Sequence, residues 1–409
     1  MRFRITSLIV LVLGLAISLG LPAATTVKTI NSVKLILADQ EIPADELLDV
    51  SLLVFEPGIP NDQEKRDKQN IYPQVRKAES RYIPYVLRGT LEQTNLWGAV
   101  RMVPEEDPIS EVVIRGSIQR SDGTEIGVRI EVKDATGKLW FEKDYKDTSS
   151  KFSYREDIDI PGDPFQDLYN AIANDIYLYR QKMKAADIRR IRTVANLKYA
   201  AELSPESFGQ HLVMDQKGRW KINRLPSESD TMLNRVERIR DSEYLFIDTV
   251  DQQYASFFAQ MDPSYSSWRR FSFEEVNAAR ELKSSSRKRM AVGIGTLIAG
   301  AAASSSSSST TSILGQGAAI SGLGLIKQGY DVGKQAKIHQ DALQELAASF
   351  DAEVAPIVVE VEGEVVKLNG SLESQYKEWR RILRAIYADE TGFPVQAAAA
   401  DEFSPPSTP

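Results

Sequence analysis

The sequence predicts an α+β fold: an N-terminal α/β sandwich-type domain with an antiparallel β meander, followed by a mainly helical region that contains a Gly/Ala/Ser-rich helical hairpin. Three observations support this prediction. Residues 111–146 alternate apolar and polar side chains in three runs, residues 184–283 repeat apolar side chains at helical spacing, and residues 290–326 contain no charge in a chain that is 26% charged. Alternation is typical of half-buried strands, and a spacing of three to four residues is typical of amphipathic helices.

Residues 1–24 are predicted to be a secretory signal peptide. Arg2 and Arg4 precede an apolar run over 8–21, and small residues follow at Ala23 and Ala24. The run is shorter than the ~20 residues that a bilayer-spanning helix needs. We therefore expect cleavage near Ala23 or Ala24 and export to the periplasm of a Gram-negative-type envelope, with an uncleaved N-terminal anchor as the alternative.

The composition excludes several classes of function. The chain has no cysteine, so it forms no disulfides and cannot carry a lipoprotein-type signal, which needs a cysteine to acylate. The net charge of −7 argues against a nucleic-acid partner, and against anionic lipid as a general partner.

Residues 25–183 are predicted to form the α/β domain. Two apolar runs occur between residues 26 and 57, and the second, over 50–55, is continuous, as in a strand that is buried on both faces. A helix is expected over 78–94 and a further strand over 97–103.

The antiparallel meander is expected over 111–146. Its three alternating runs are separated by Ser121-Asp-Gly and Ala135-Thr-Gly, both of which are turn signals. A helix is then predicted to begin at Asp163, because Pro164 suits the first helical turn and apolar residues follow at helical spacing.

This order of elements resembles the periplasmic α/β domain shared by the curli-secretion-channel (CsgG-like) family and the N-terminal domain of TolB. Members often carry a glycine after the third strand, here Gly116, and an Asp and a Gly near the end of the meander, here Asp134 and Gly137. The resemblance covers residues 28–183 and implies the fold of that domain and a role in envelope secretion or transport. The alternative is an unrelated α+β domain with the same element order.

Residues 184–283 are predicted to be helical and rich in charge. One amphipathic helix is expected over 182–203, and a second from Ser227 to Met261, ending at Asp262 because a proline follows. Aromatic and basic residues then alternate in a candidate partner surface, for which burial of the aromatics in the core is the alternative. The four candidate residues are Trp268, Arg269, Arg270 and Phe271.

Residues 284–337 contain the predicted hairpin. Its two apolar halves are joined by a Ser/Thr run, and small residues recur four apart, which allows helix backbones to approach closely. Basic residues flank both ends, at 287–289 and 327, so both ends lie on one side of any membrane. A flexible linker that does not contact membrane is the alternative. The predicted membrane or oligomer contacts are Gly295, Ala299, Ala303, Gly315, Ala318 and Gly322.

The C-terminal part is predicted to be a small helix-hairpin-helix element over 338–392 and a disordered tail over 393–409. Two alternating runs over 357–370 predict a hairpin, and one apolar face over 371–392 predicts a helix.

The sequence offers little catalytic chemistry. The chain contains only His211 and His339, and it has no phosphate-binding loop or nucleophile elbow. We expect no cofactor and no metal, and we expect a non-enzymatic, homo-oligomeric structural or assembly component at the outer membrane, in contact with other envelope proteins. The alternatives are a soluble periplasmic binding or chaperone-like module and, third, a hydrolase that uses paired carboxylates.

Overall fold

The computed structural model describes residues 25–28, 32–69, 71–154, 162–227, 229–302, 357–361 and 364–392, with isolated positions at 338, 341, 342, 345 and 348. The predicted signal peptide and C-terminal tail lie outside these residues. The strands are β1 (Thr25–Lys28), β2 (Val50–Leu53), β3 (Val100–Val103), β4 (Val112–Asp122), β5 (Glu125–Asp134), β6 (Leu139–Thr148), β7 (Leu212–Met214), β8 (Trp220–Ile222), β9 (Ile357–Val361) and β10 (Glu364–Leu368). The helices are α1 (Gln63–Lys68), α2 (Pro73–Gln93), α3 (Gln166–Arg180), α4 (Ala185–Leu203), α5 (Pro205–Phe208), α6 (Thr231–Ala302) and α7 (Leu372–Thr391).

The chain has a mixed α+β fold built on one central sheet. Its strand order is β1-β6-β5-β4-β2-β3, in which β2 runs parallel to both neighbours and β1 adds to the edge parallel to β6. β4, β5 and β6 pair antiparallel in sequence order, which confirms the predicted meander and its two turns. The continuous apolar run in β2 is explained by its central place, since Val50 and Leu52 are buried.

The first apolar run forms β1 at its start, but residues 33–36 belong to no strand. Side chains of α3 hydrogen-bond to their backbone instead. The backbone N–H groups of Val33 and Ile36 donate to Asp167 and Asn174, each at 2.8 Å, and the Asn170 amide donates to the Val33 carbonyl at 2.7 Å. Polar side chains on one face of α3 therefore satisfy a backbone that has no strand partner.

Helix α6 does not end where the sequence predicts. It continues through Pro263 to Ala302, over 72 residues. Proline removes one backbone donor and crowds the preceding turn, but Met261, Tyr265 and Trp268 on both sides of it are buried against α2. This packing outweighs the local helix-breaking preference.

The larger of two hydrophobic clusters joins distant parts of the described chain, and the smaller one lies between α2 and α6. The larger cluster contains side chains from β2, α3, α4, α6 and α7, for example Leu52, Ile172, Ile191, Phe246 and Trp379. The predicted β9–β10 hairpin and terminal helix α7 are confirmed. The β7–β8 hairpin interrupts a region that was expected to be helical, because its strands of three residues are too short to give a sequence period.

Candidate functional site

A cavity of about 650 Å³ lies between α2, the start of α3 and the middle of α6. Aromatic side chains form much of its wall, and Tyr82 stacks on Phe258 with ring centroids 4.6 Å apart. Four charged residues line it: Asp163, Asp262, Arg269 and Arg270. The cavity therefore combines aromatic walls with two cations and two acids.

Arg269 is a buried cation within this wall. Its Nη1 lies 2.7 Å from Asp163 Oδ2, and its guanidinium carbon lies 4.5 Å from the ring centroid of Tyr265. Burial lowers the pKa of Arg269, but the carboxylate of Asp163 and the surrounding tyrosine hydroxyls together outweigh burial and hold that pKa well above its usual range. The guanidinium stays charged, and its ion pair and ring contacts fix α6 against the chain that precedes α3.

Glu79 lies next to this pair and is completely buried. Its Oε1 accepts hydrogen bonds from the Ser121 hydroxyl at 2.6 Å and the Tyr265 hydroxyl at 2.8 Å. Burial raises the pKa of Glu79, and Arg76, whose Nε lies 3.3 Å from Oε2, opposes that increase. The carboxyl thus connects α2, β4 and α6.

The predicted partner surface divides into two parts. Trp268 and Arg269 are each only 3% exposed, so the prediction that they form a partner surface is wrong for these two side chains, which belong to the core. Arg270 and Phe271 are half-buried neighbours, with the Arg270 guanidinium carbon 5.1 Å from the Phe271 ring. A partner contact at these two residues stays a prediction.

A second buried charge cluster joins α7 to the sheet and to α6. The Tyr376 hydroxyl donates to Asp107, which follows β3, and lies 3.3 Å from Glu243 Oε1 on α6. Arg380 Nε lies 3.6 Å from Asp107 and 3.4 Å from Glu243, while its Nη2 donates to Glu202. Four segments of the chain meet at this cluster.

Three acids belong to this cluster, Asp107, Glu202 and Glu243, and the pKa of Glu243 is shifted. Burial raises the pKa of Glu243 well above its usual range, and the adjacent charge of Asp107 raises it further, against the opposing effect of Arg380. Protonation of Glu243 removes the repulsion between its carboxyl and that of Asp107, so that both can lie beside the guanidinium of Arg380.

In the first cluster the Ser121 hydroxyl is paired with the Glu79 carboxylate, and both side chains are buried. Within the described residues no group of His, Asp and Glu side chains is arranged to hold a metal ion. His211 is buried, and its Nδ1 lies 2.9 Å from the Arg224 carbonyl oxygen, which is a packing contact. His339 lies outside the described residues. The buried polar groups of both clusters make internal contacts between separate elements of the fold.

The predicted hairpin contacts are only partly described. Gly295 and Ala299 lie on the last turns of α6, whereas Ala303, Gly315, Ala318 and Gly322 lie outside the described residues. Among the helices that the structure describes, none is both long and apolar enough for a bilayer span.

Sequence reasoning missed the buried charges of α2 and α7. One signal was present in α2, where Arg76 and Glu79 stand on the same helical face as Val75, Ala78 and Tyr82. Charges inside an apolar stripe indicate a buried ion pair. No comparable pattern marks Asp107, which follows two consecutive glutamates in a polar stretch.

Comparison with known proteins adds no relative: no family model matches the chain, and no curated protein matches it either.

Proposed function

We propose that the protein is a non-enzymatic component of the cell envelope that assembles as a homo-oligomer at the outer membrane, with a structural, assembly or transport role. One observation carries the proposal. Helix α6 runs without interruption from the hydrophobic core, where Phe246 and Val250 are buried, into the charge-free segment that begins at Met290. A helix of 72 residues is about 108 Å long at ~1.5 Å per residue. One rigid element thus connects the folded body to the segment of small residues.

The buried charge clusters support a structural role. Arg269 and Arg380 neutralise internal carboxylates and join elements far apart in sequence. Such clusters hold the body in one arrangement, as a structural role requires.

The charge-free segment supplies the assembly surface in this proposal. Gly295 and Ala299 lie four apart on α6; the sequence continues this spacing at Ala303 and repeats it between Ala318 and Gly322. Small residues four apart let helices pack closely, so a Gly/Ala/Ser-rich hairpin would associate with its own copies or enter lipid.

The resemblance of residues 28–183 to the CsgG-like and TolB N-terminal group supports a place in the envelope. We propose a sandwich-type arrangement of that domain, and the predicted signal peptide supports export. Other envelope proteins are the expected partners.

A paired substitution tests the proposal. Gly295→Leu with Gly322→Leu enlarges two positions of the small-residue pattern, whereas Thr296→Leu with Ser321→Leu places the same two leucine side chains one position away. We expect the glycine pair to shift the protein to a smaller native mass and to release it from membranes washed with carbonate, while the control pair keeps the wild-type behaviour.

Two results would contradict this function. Unchanged native mass and fractionation of the glycine pair would exclude the small-residue face as the contact. A wild-type protein that washes off membranes as a monomer would instead support the soluble periplasmic binding or chaperone-like module.

A further inference from the structure

The β7–β8 hairpin stands on the turn between β5 and β6. The backbone N–H of Trp220 donates to the Thr136 carbonyl at 2.8 Å. Gly137 has φ +80°, and a Cβ there would lie 2.7 Å from the Gly218 carbonyl oxygen. Only glycine permits this close approach, so the tip of the hairpin packs in one position against the β5–β6 turn.

Asp215 fixes the turn of the hairpin. Its Oδ1 accepts hydrogen bonds from the backbone N–H groups of Lys217 at 2.8 Å and Arg219 at 3.0 Å, and its Oδ2 lies 3.3 Å from Lys221 Nζ. These backbone hydrogen bonds, foremost the one from Arg219, lower the pKa of Asp215. Asp215 therefore fixes the backbone positions of Lys217 and Arg219 and pairs with the side chain of Lys221.

A hollow of about 960 Å³ opens between this hairpin, the β5–β6 turn and α4. Met214, Trp220 and Ile222 form an apolar floor, because alternate residues of the paired strands share one face. Five cations and a single carboxylate, Asp215, line the rest. The cations are Lys138, Arg190, Lys217, Arg219 and Lys221.

The hollow carries more positive charge than its neighbouring carboxylates neutralise. Arg190 pairs with Asp187 at 2.8 Å, and Lys221 shares Asp215. Within the part of the chain that the structure describes, the side chains of Lys217 and Arg219 form no ion pair, and both residues are exposed. In a chain of net charge −7, this is a local region with the opposite sign.

Exposed apolar side chains lie beside these cations. Val213 and Met214 on β7 are each 46% exposed, and Leu225, just past β8, is 64% exposed. Cations next to exposed apolar side chains match a bilayer surface, where phosphates meet acyl chains. A small soluble anion would need the cations alone.

We propose that the β7–β8 hairpin binds the phosphate headgroups of anionic lipid, with Lys217 and Arg219 on the phosphates and Val213 and Met214 at the acyl boundary. The overall negative charge argues against anionic lipid along the whole chain, whereas the hairpin is a local exception. The hairpin lies far in sequence from the charge-free segment, so lipid binding there does not depend on the proposed assembly role.

Vesicle binding by the purified full chain tests this site. The probes are phosphatidylcholine vesicles with and without phosphatidylglycerol. The variant Lys217→Gln with Arg219→Gln is expected to weaken partitioning onto the anionic vesicles by roughly 10- to 30-fold. Lys34→Gln with Lys367→Gln removes the same charge at exposed positions that do not line the hollow, and should bind as the wild type does.

Two further arms identify the source of the phosphate. Val213→Ser with Met214→Ser should weaken vesicle binding, and inorganic phosphate should compete only weakly. Tight binding of inorganic phosphate that the serine variants leave unchanged would show a soluble-anion site and overturn the proposal. Equal binding of wild-type and Lys217→Gln/Arg219→Gln protein to anionic vesicles, with far-ultraviolet spectra showing both folded, would also overturn it.

Discussion

Replacing Arg380 by methionine tests whether the buried acids after β3 and on α6 depend on this one cation. Asp107 is completely buried, Glu243 is 1% exposed, and both lie within 3.6 Å of Arg380 Nε. Methionine keeps most of the apolar stem and removes the charge. Leaving buried acids without their cation typically costs about 3–5 kcal/mol.

The lower end of that range is expected here. Because Glu243 has a raised pKa, it can remain protonated when the guanidinium is lost, so Asp107 carries most of the uncompensated charge. A loss of about 3 kcal/mol is still a large part of the ~5–15 kcal/mol that stabilises a typical domain.

Urea unfolding at neutral pH, followed by tryptophan fluorescence, measures this loss, since Trp379 on α7 is buried beside Phe246. Arg381→Met is the matched control. Arg381 is 67% exposed, and among the described residues its ion pair is with Glu378 on its own helix, so its loss should leave the free energy of unfolding nearly unchanged. Equal midpoints for Arg380→Met and Arg381→Met would refute the assignment of Arg380 as the essential cation.

Three other substitutions test separate parts of the core. Glu243→Gln removes a carboxyl whose pKa in the folded protein is raised above its ordinary value of 4.5. Because the folded state holds this proton more tightly than the unfolded state does, the wild-type protein loses stability as pH rises from ~4.5 through the folded pKa. The variant should flatten the change in urea midpoint with pH, and an unchanged slope would contradict the assignment. Gly123→Ala places a Cβ 2.1 Å from the backbone oxygen of Arg269 and should destabilise the fold by at least ~1–3 kcal/mol, measured by thermal unfolding. At Gly89, on a helix, a Cβ meets no neighbouring atom, so Gly89→Ala should stabilise the fold by ~0.4–1 kcal/mol. Equal shifts for the two glycines would count against the close approach at Gly123. Arg269→Met leaves the buried carboxylate of Asp163 unpaired and should lower the free energy of unfolding by ~3–5 kcal/mol. Arg270 is half-buried, and Arg270→Met should lower it by less than ~1 kcal/mol. Similar losses for the two variants would show that Arg269 is not a structural cation.

The elements with a strong local signal were predictable from sequence. β4, β5 and β6 alternate over ten or eleven residues and end at Asp-Gly and Thr-Gly turns, so period and turn chemistry agree. Helix α7 has a serine N-cap at Ser371 and a left-handed glycine at Gly392, which are standard start and stop residues.

The elements that depend on tertiary contacts were not predictable. Pro263 marks a helix end by local chemistry, and only the packing of Tyr265 and Trp268 on α2 continues α6 beyond it. The extended segment at Val33 has strand-like sequence, but its partners are side chains on α3, more than 130 positions away.

The same limit applies to the candidate sites. Trp268 and Arg269 resemble a surface cluster because arginine and aromatic residues are common at interfaces. A sequence does not show that Asp163, over 100 positions earlier, supplies the acid that allows Arg269 to be buried. The basic hollow was missed for a related reason, since Lys138 and Lys217 come together only when the hairpin sits on the β5–β6 turn.

The hydrogen bond from Tyr376 to Asp107 has a consequence for the order of folding. These residues are 269 positions apart. Among the ion pairs of the described residues, the cation that pairs with Asp107 is Arg380, which lies on the same C-terminal helix as Tyr376. While the chain emerges, Asp107 can be solvated but cannot be buried, because burial of an unpaired acid is unfavourable. The region after β3 is therefore expected to close last, after the C-terminal helix has arrived. Under the proposed export, the chain would therefore stay incompletely folded, and able to cross a translocation pore, until nearly all of it had been made.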